Sequence, residues 1–264
     1  MSIVVITIPG GERRDFANSL HKKTGCVELV IIQKSKIFNE SFTESIGRLK
    51  RAVGLPALPR ELFYALLLRF NKPAQKVLEY FRNFGDVETE KTYLTKTIEV
   101  SSVNSPEVLE ILKKIKPKIL VVWGNTILKK DILATAEKVL NLHMGLCPYY
   151  RGSVANQYAL INDEPNRLGA TIHYVKEGVD TGDVIETLSA DISKRPRDLF
   201  LELNKKAKEL YLEIIQKLYK GGNLPRIAQD PSVGKNYMLR DWTPSVRYKL
   251  AKKILNWEKR GGLT

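Results

Sequence analysis

Three short, almost unbroken apolar runs, at positions 3–8, 26–32 and 118–122, limit what this chain can fold into. A strand with one wet face alternates apolar and polar residues. A continuous run is buried on both faces, as in a parallel sheet covered by helices. Pro9-Gly10-Gly11 breaks the first run, and residues 15–22 then take helical spacing through Phe16 and Leu20. Strand, helix, strand with a right-handed crossover predicts an α/β fold: a doubly wound, Rossmann-like sheet, mostly parallel.

The alternation continues beyond an interruption. Strands are expected at 97–100, 118–122, 139–143, 169–175 and 183–188, and helices at 130–138 and 155–162. Ser105 followed by Pro106 gives an N-cap and a proline at the first helical position. The interruption, about 36–92, reads as an inserted helical pair with Pro59 near its start, Pro73 at a break and Gly85 at its end, packed on the sheet. A long amphipathic helix over 196–220 shows Leu199, Leu203, Leu210, Ile214 and Leu218 on one face. The expected division is a main domain over 1–192, then the long helix and a small basic C-terminal extension over 193–264.

No apolar run approaches the roughly 20 residues that span a bilayer. The first residues lack the pattern of a signal peptide. A cytoplasmic protein without a membrane partner is expected. Cys26 and Cys147 stand alone with no CxxC or Cys/His spacing, so neither a disulfide framework nor a metal site is expected. The net charge is +14, and residues 194–264 hold 17 Lys+Arg against 7 Asp+Glu. That excess favours anionic partners, among them nucleic acid and nucleotide-linked small molecules.

The chemistry gathers at one strand end. Asn141 and His143 are two apart, so an extended strand turns both to one side and Leu142 to the other. The carboxyl ends of parallel strands are where open α/β sheets bind ligands. Asp180 follows in a loop where Gly178 and Gly182 permit tight turning. An amide, an imidazole and a carboxylate suffice for acyl transfer to an amine without a protein nucleophile. His143 serves as general acid/base, Asn141 donates to the oxyanion, and Asp180 orients the imidazole. Gly10, Gly11 and Arg13 suit an anion as well as they suit an ordinary turn.

Asn141-Leu-His143, then Leu146, Pro148, Tyr150-Arg151-Gly152, Gly169-Ala-Thr-Ile-His173 and Glu177-Gly-Val-Asp180-Thr-Gly182, resembles the folate-dependent formyltransferase family. The match runs from about 118 to 190 and includes the 37-residue step from His143 to Asp180. The resemblance implies that 1–192 is the catalytic domain, using 10-formyltetrahydrofolate as co-substrate. It places the catalytic roles on Asn141, His143 and Asp180, and folate contacts on Gly145, Leu146, Cys147 and Pro148. Trp123, Gly124, Ile127 and Leu128 correspond to a segment lining the pterin pocket, and Gly10, Gly11, Arg13, Tyr150 and Arg151 are candidates for the acceptor.

The family usually has Pro after the His and then Ser-Leu-Leu-Pro; this chain has Met144-Gly145-Leu146-Cys147-Pro148, losing a hydroxyl near the folate. The acceptor implied first is the primary amine of an amino sugar on a nucleotide carrier, an anionic small molecule. Charged tRNA follows, because the 44 residues beyond the long helix are too few for the β-barrel of tRNA-specific members, and glycinamide ribonucleotide comes third. A formyl-folate hydrolase and a folate- or RNA-binding protein of the same fold remain as alternatives, and a homodimer is compatible with the family.

Overall fold

The computed structural model describes residues 2–34, 42–85, 90–124, 127–230 and 232–261. The strands are β1 (Ile3–Thr7), β2 (Val27–Gln33), β3 (Thr97–Val100), β4 (Ile119–Trp123), β5 (Lys138–His143), β6 (Tyr150–Arg151), β7 (Gly169–Tyr174), β8 (Val184–Ser189) and β9 (Lys235–Asn236). The helices are α1 (Gly11–Thr24), α2 (Phe42–Val53), α3 (Leu58–Phe70), α4 (Lys72–Glu79), α5 (Pro106–Ile115), α6 (Lys130–Leu133), α7 (Ala155–Ile161), α8 (Pro196–Tyr219) and α9 (Pro244–Arg260). Seven strands form one sheet in the order β3-β2-β1-β4-β5-β7-β8, and β6 pairs with β9 in a separate ribbon. Neighbours from β3 to β5 are parallel; β7 is antiparallel to both β5 and β8.

The unbroken apolar runs follow from helices on both faces of this sheet. Ile3 and Val5 of β1, with Ile119, Val121 and Trp123 of β4, pack in one core with Phe16 and Leu20 of α1 and Leu203 and Ala207 of α8. Val4, Ile6, Leu120 and Val122 point the opposite way, into a core with Val108 and Leu112 of α5 and Ile132 of α6. Successive side chains leave opposite faces of a strand, so both must be apolar.

Four details differ from the sequence reading. The expected helix over 130–138 stops at Leu133, and Lys138 already belongs to β5. Of the expected stripe on α8, Leu199, Leu203 and Ile214 are buried while Leu210 and Leu218 are only partly so, and Phe200, Ala207, Tyr211 and Ile215 join the buried face. Tyr211 belongs to this face because its buried hydroxyl lies 2.8 Å from Leu140 O, to which it donates, and accepts from the Val122 N–H at 3.3 Å, which favours an aromatic with a polar tip under β4 and β5.

The expected helical pair is present as α3 and α4, and among the described residues of the insertion α2 precedes it. Residues 36–41 and 86–89 of its expected range lie outside the described residues. α3 and α4 pack on α9 rather than on the sheet, with Leu68, Ala74 and Val77 meeting Leu250, Ala251, Ile254 and Trp257. Glu61 of α3 is fully buried and accepts from the backbone N–H and hydroxyl of Ser245 at 2.8 and 2.6 Å. The basic extension is thus not a loose appendage, because α9 supplies the core beneath the insertion.

Candidate active site

β5 ends at the carboxyl edge of the sheet, close to where strand order reverses between β1 and β4. Leu142 points into the core, leaving Asn141 and His143 on the other face. The antiparallel partner β7 sets a matching row, with Asn141 opposite His173 and His143 opposite Thr171. Directly opposed side chains in a sheet touch. Asn141 Nδ2 accordingly lies 3.1 Å from His173 Nε2.

The loop between β7 and β8 returns Asp180 over these residues. Asp180 adopts a left-handed backbone (φ 51°), which Asp tolerates better than most side chains. Gly182 next to it comes so close to the Tyr174 carbonyl that a Cβ would lie 1.6 Å from that oxygen. Gln229, from the segment leading to β9, donates to the carbonyl oxygens of Asp180 and Gly182 at 3.0 and 2.5 Å.

The Asp180 carboxylate is the centre of the network. Oδ2 lies 3.2 Å from His143 Nδ1 and accepts from the Gly152 N–H at 2.9 Å. Oδ1 accepts from Asn141 Nδ2 at 3.3 Å and lies 3.4 Å from His173 Nε2. Burial pushes this carboxyl up; the two imidazoles and the Gly152 N–H outweigh burial and hold it well below the usual carboxylate range. The other nitrogen of His143, Nε2, sits 2.9 Å from the carbonyl oxygen of Tyr150. Both partners of His143 only accept, so the ring satisfies both when it carries both protons. The Asn141 amide must face this way round, since a flip would set its oxygen against the carboxylate.

The turn 145–148 is braced from β7: Thr171 Oγ1 donates to Gly145 O at 2.7 Å and accepts from the Cys147 N–H at 3.0 Å. The Cys147–Pro148 peptide is cis. Gly145 is packed so closely that a Cβ would fall 2.5 Å from His143 Nε2 and 2.4 Å from Ala155 Cβ. Burial pushes the Cys147 thiol up to about 12, so it is a neutral, small apolar group.

The other candidates divide. Gly124 (φ 87°) and Ile127 are exposed, whereas Leu128 packs inward with Val103 and Ile132; residues 125 and 126 lie outside the described residues. Trp123 is buried between Phe16 and Phe84 with the Arg13 guanidinium 3.5 Å from its ring centroid. Burial lowers Arg13 to about 10, and its Nε and Nη1 have no hydrogen-bond partner among the described residues. Gly10 and Gly11 lead into α1 next to it. Tyr150 offers its backbone to His143; its ring stacks on Tyr237 and its hydroxyl donates to Glu164. Arg151 is buried, with Nε unpartnered among the described residues.

His173, Thr171 and Gln229 were not in the sequence-derived set of site residues. Thr171 and His173 carry the same two-residue spacing as Asn141 and His143, a signal that was available; Gln229 carries none.

A sequence profile described as formyl transferase matches residues 66–215, more than half of the chain. The chain belongs to the formyl transferase family. It is 28% identical over 176 residues to a methionyl-tRNA formyltransferase of Syntrophomonas wolfei, covering 65% of this chain and 53% of that one. The chain spans about half the length of the curated relatives it matches. An N-formyltransferase of Helicobacter canadensis, solved with folinic acid and dTDP-3-aminofucose, shares the fold with a TM-score of 0.57 at 16% identity, covering 98% of this chain and 82% of that chain. A glycinamide ribonucleotide transformylase of Symbiobacterium toebii does so with a TM-score of 0.53 at 16% identity, covering 87% and 93%.

Proposed function

We propose that this protein transfers the formyl group of 10-formyltetrahydrofolate to a primary amine, and that the acceptor is an amino sugar on a nucleotide carrier. The observation that carries the reading is the Asp180 carboxylate joined at once to His143, Asn141, His173 and the Gly152 N–H. A structural aspartate needs no such ring of acid/base partners. The half-exposed loop over 177–181 and the exposed Gly124 and Ile127 suit a flat heterocycle held by backbone groups and apolar contact.

When bound, the formyl-folate supplies the electrophilic carbon. The rest of the work falls to the chain. His143 exchanges its bond to the Tyr150 carbonyl for one to the reacting nitrogen, and through Nε2 it delivers a proton to the leaving folate nitrogen and takes back the proton that the attacking amine loses. Asp180 holds the ring through Nδ1 and stabilises its cationic form. Asn141 turns one amide N–H from Asp180 or His173 to the oxyanion. The neutral Cys147 takes no part.

The amino-sugar acceptor is supported by the nucleotide sugar named with the Helicobacter canadensis enzyme, whose fold covers 98% of this chain. Arg13, whose Nε lies 3.9 Å from Glu12 and whose Nε and Nη1 make no hydrogen bond among the described residues, suits an anionic carrier. The test is an acceptor screen with 10-formyltetrahydrofolate: nucleotide-linked amino sugars, charged initiator tRNA and glycinamide ribonucleotide, followed by mass gain of one formyl group. Gain on the amino sugar supports the reading. Gain on tRNA alone replaces the acceptor, and formate release without any amine replaces transfer with hydrolysis.

A further inference from the structure

We propose that the outer face of α3 is a docking surface for an anionic lipid membrane, on which the protein lies without crossing it. At about 100° per residue, Glu61 and Leu68 fall on one side of this helix and Phe63, Leu66 and Phe70 on the opposite side. The first pair is buried against α9. The second group is open: Phe70 is 75% exposed, Phe63 58% and Leu66 56%. A helix on a soluble surface turns its polar residues outward, and one that is apolar on both sides is covered on both. Among the described residues nothing covers that outer side of α3.

Charge selects that partner. Residues 42–82 hold eight Lys+Arg against three Asp+Glu, all eight cations are exposed, and one of the three acids is the buried Glu61. Arg60 and Arg69 flank the apolar pole, one on each side, by the same angular step, and Arg60 also pairs with Glu61 at 2.9 Å. A second copy would press the same cations together, in a chain whose net charge is +14. The partner is therefore anionic. RNA offers charge and base faces for aromatic rings, but Leu62 and Leu66 contribute as much of the exposed pole as the two phenylalanines in number and have no ring to stack. A bilayer surface meets every demand: phosphate headgroups for the arginines and acyl chains for Phe and Leu. α3 is about 20 Å long at 1.5 Å per residue, enough to lie in the interface as an in-plane helix. No described helix is long and apolar enough to cross a membrane, and a protein that rests on one needs none.

The full chain is tested by co-sedimentation with vesicles of phosphatidylcholine alone and of phosphatidylcholine with phosphatidylglycerol. Binding to the anionic vesicles only, weakening as salt rises, is expected. The double variant Phe63→Ser/Phe70→Ser is expected to bind about tenfold more weakly or worse with unchanged thermal melting, since both side chains are exposed. Arg69→Glu, which keeps the apolar pole and leaves the Arg60–Glu61 ion pair in place, is expected to weaken binding as well, with unchanged thermal melting. The proposal is overturned by absent binding to anionic vesicles, or by variants that bind like the wild type. It is equally overturned by a dimer that the Phe variant dissociates while vesicles are ignored, or by RNA binding through these residues without vesicle binding.

Discussion

Asp180 Oδ2 stands 3.2 Å from Nδ1 of His143, and the carboxylate also serves Asn141, His173 and the Gly152 N–H. Burial raises its pKa, and these partners lower it further than burial raises it. A carboxyl whose folded pKa lies below the unfolded value of about 3.9 stabilises the fold fully above that pH. The contribution is lost as pH falls through the lower folded value. Urea midpoints measured from about pH 5 downward are expected to fall less steeply in Asp180→Asn than in the wild type. Identical slopes would show that the carboxylate is not held in this way.

Gly145 leaves room for the imidazole. A Cβ there would lie 2.5 Å from His143 Nε2 and 2.4 Å from Ala155 Cβ, so Gly145→Ser must displace one of them. The residue that the family usually carries at this position is thus expected to harm this chain: kcat for formyl transfer falls about tenfold or more, on the scale of a misplaced acid/base group. Unchanged kcat in Gly145→Ser would show that the ring does not depend on that space.

Cys147 is buried with its thiol pushed up to about 12, while Cys26 is half-buried with its sulfur 3.0 Å from the Tyr219 hydroxyl. In the native protein near neutral pH, iodoacetamide is expected to leave Cys147 unmodified, and Cys147→Ala is expected to keep most of the transfer activity. Peptide mapping by mass spectrometry reads the first expectation and steady-state kinetics the second.

Trp257 is 4% exposed between Leu250, Ile254 and the insertion helices. Trp257→Ala is expected to cost about 3–5 kcal/mol in chemical denaturation, the usual cost of emptying a large aromatic site. Truncation after Lys220 removes the whole helix and is expected to impair folate and acceptor use together. An unchanged denaturation midpoint in Trp257→Ala would return the extension to the role of an appendage.

Patterns that depend on local periodicity were readable. The two-sided burial of β1, β2 and β4 left continuous apolar runs, and the strand spacing of Asn141 and His143 announced a shared face. What depends on distant pairing was not readable. The antiparallel register that sets His173 against Asn141 follows from sheet order, and nothing local to Gln229 says that it will hold the Asp180 loop. α3 misled for a physical reason: with apolar residues on both sides, its spacing could not say which side meets the protein. The place of α9 in the core was hidden because its many lysines and arginines cover one face, while Leu250, Ile254 and Trp257 sit on the other.

The most direct test of the central claim is formyl transfer by His143→Ala. With 10-formyltetrahydrofolate and the acceptor found by the screen, product is counted by mass, and folate binding and thermal melting are measured beside it. A loss of turnover of about 100-fold or more, shared by Asn141→Ala and Asp180→Ala, with folate still bound and the fold intact, is the predicted result. Transfer by the His143 variant at the wild-type rate would contradict the account.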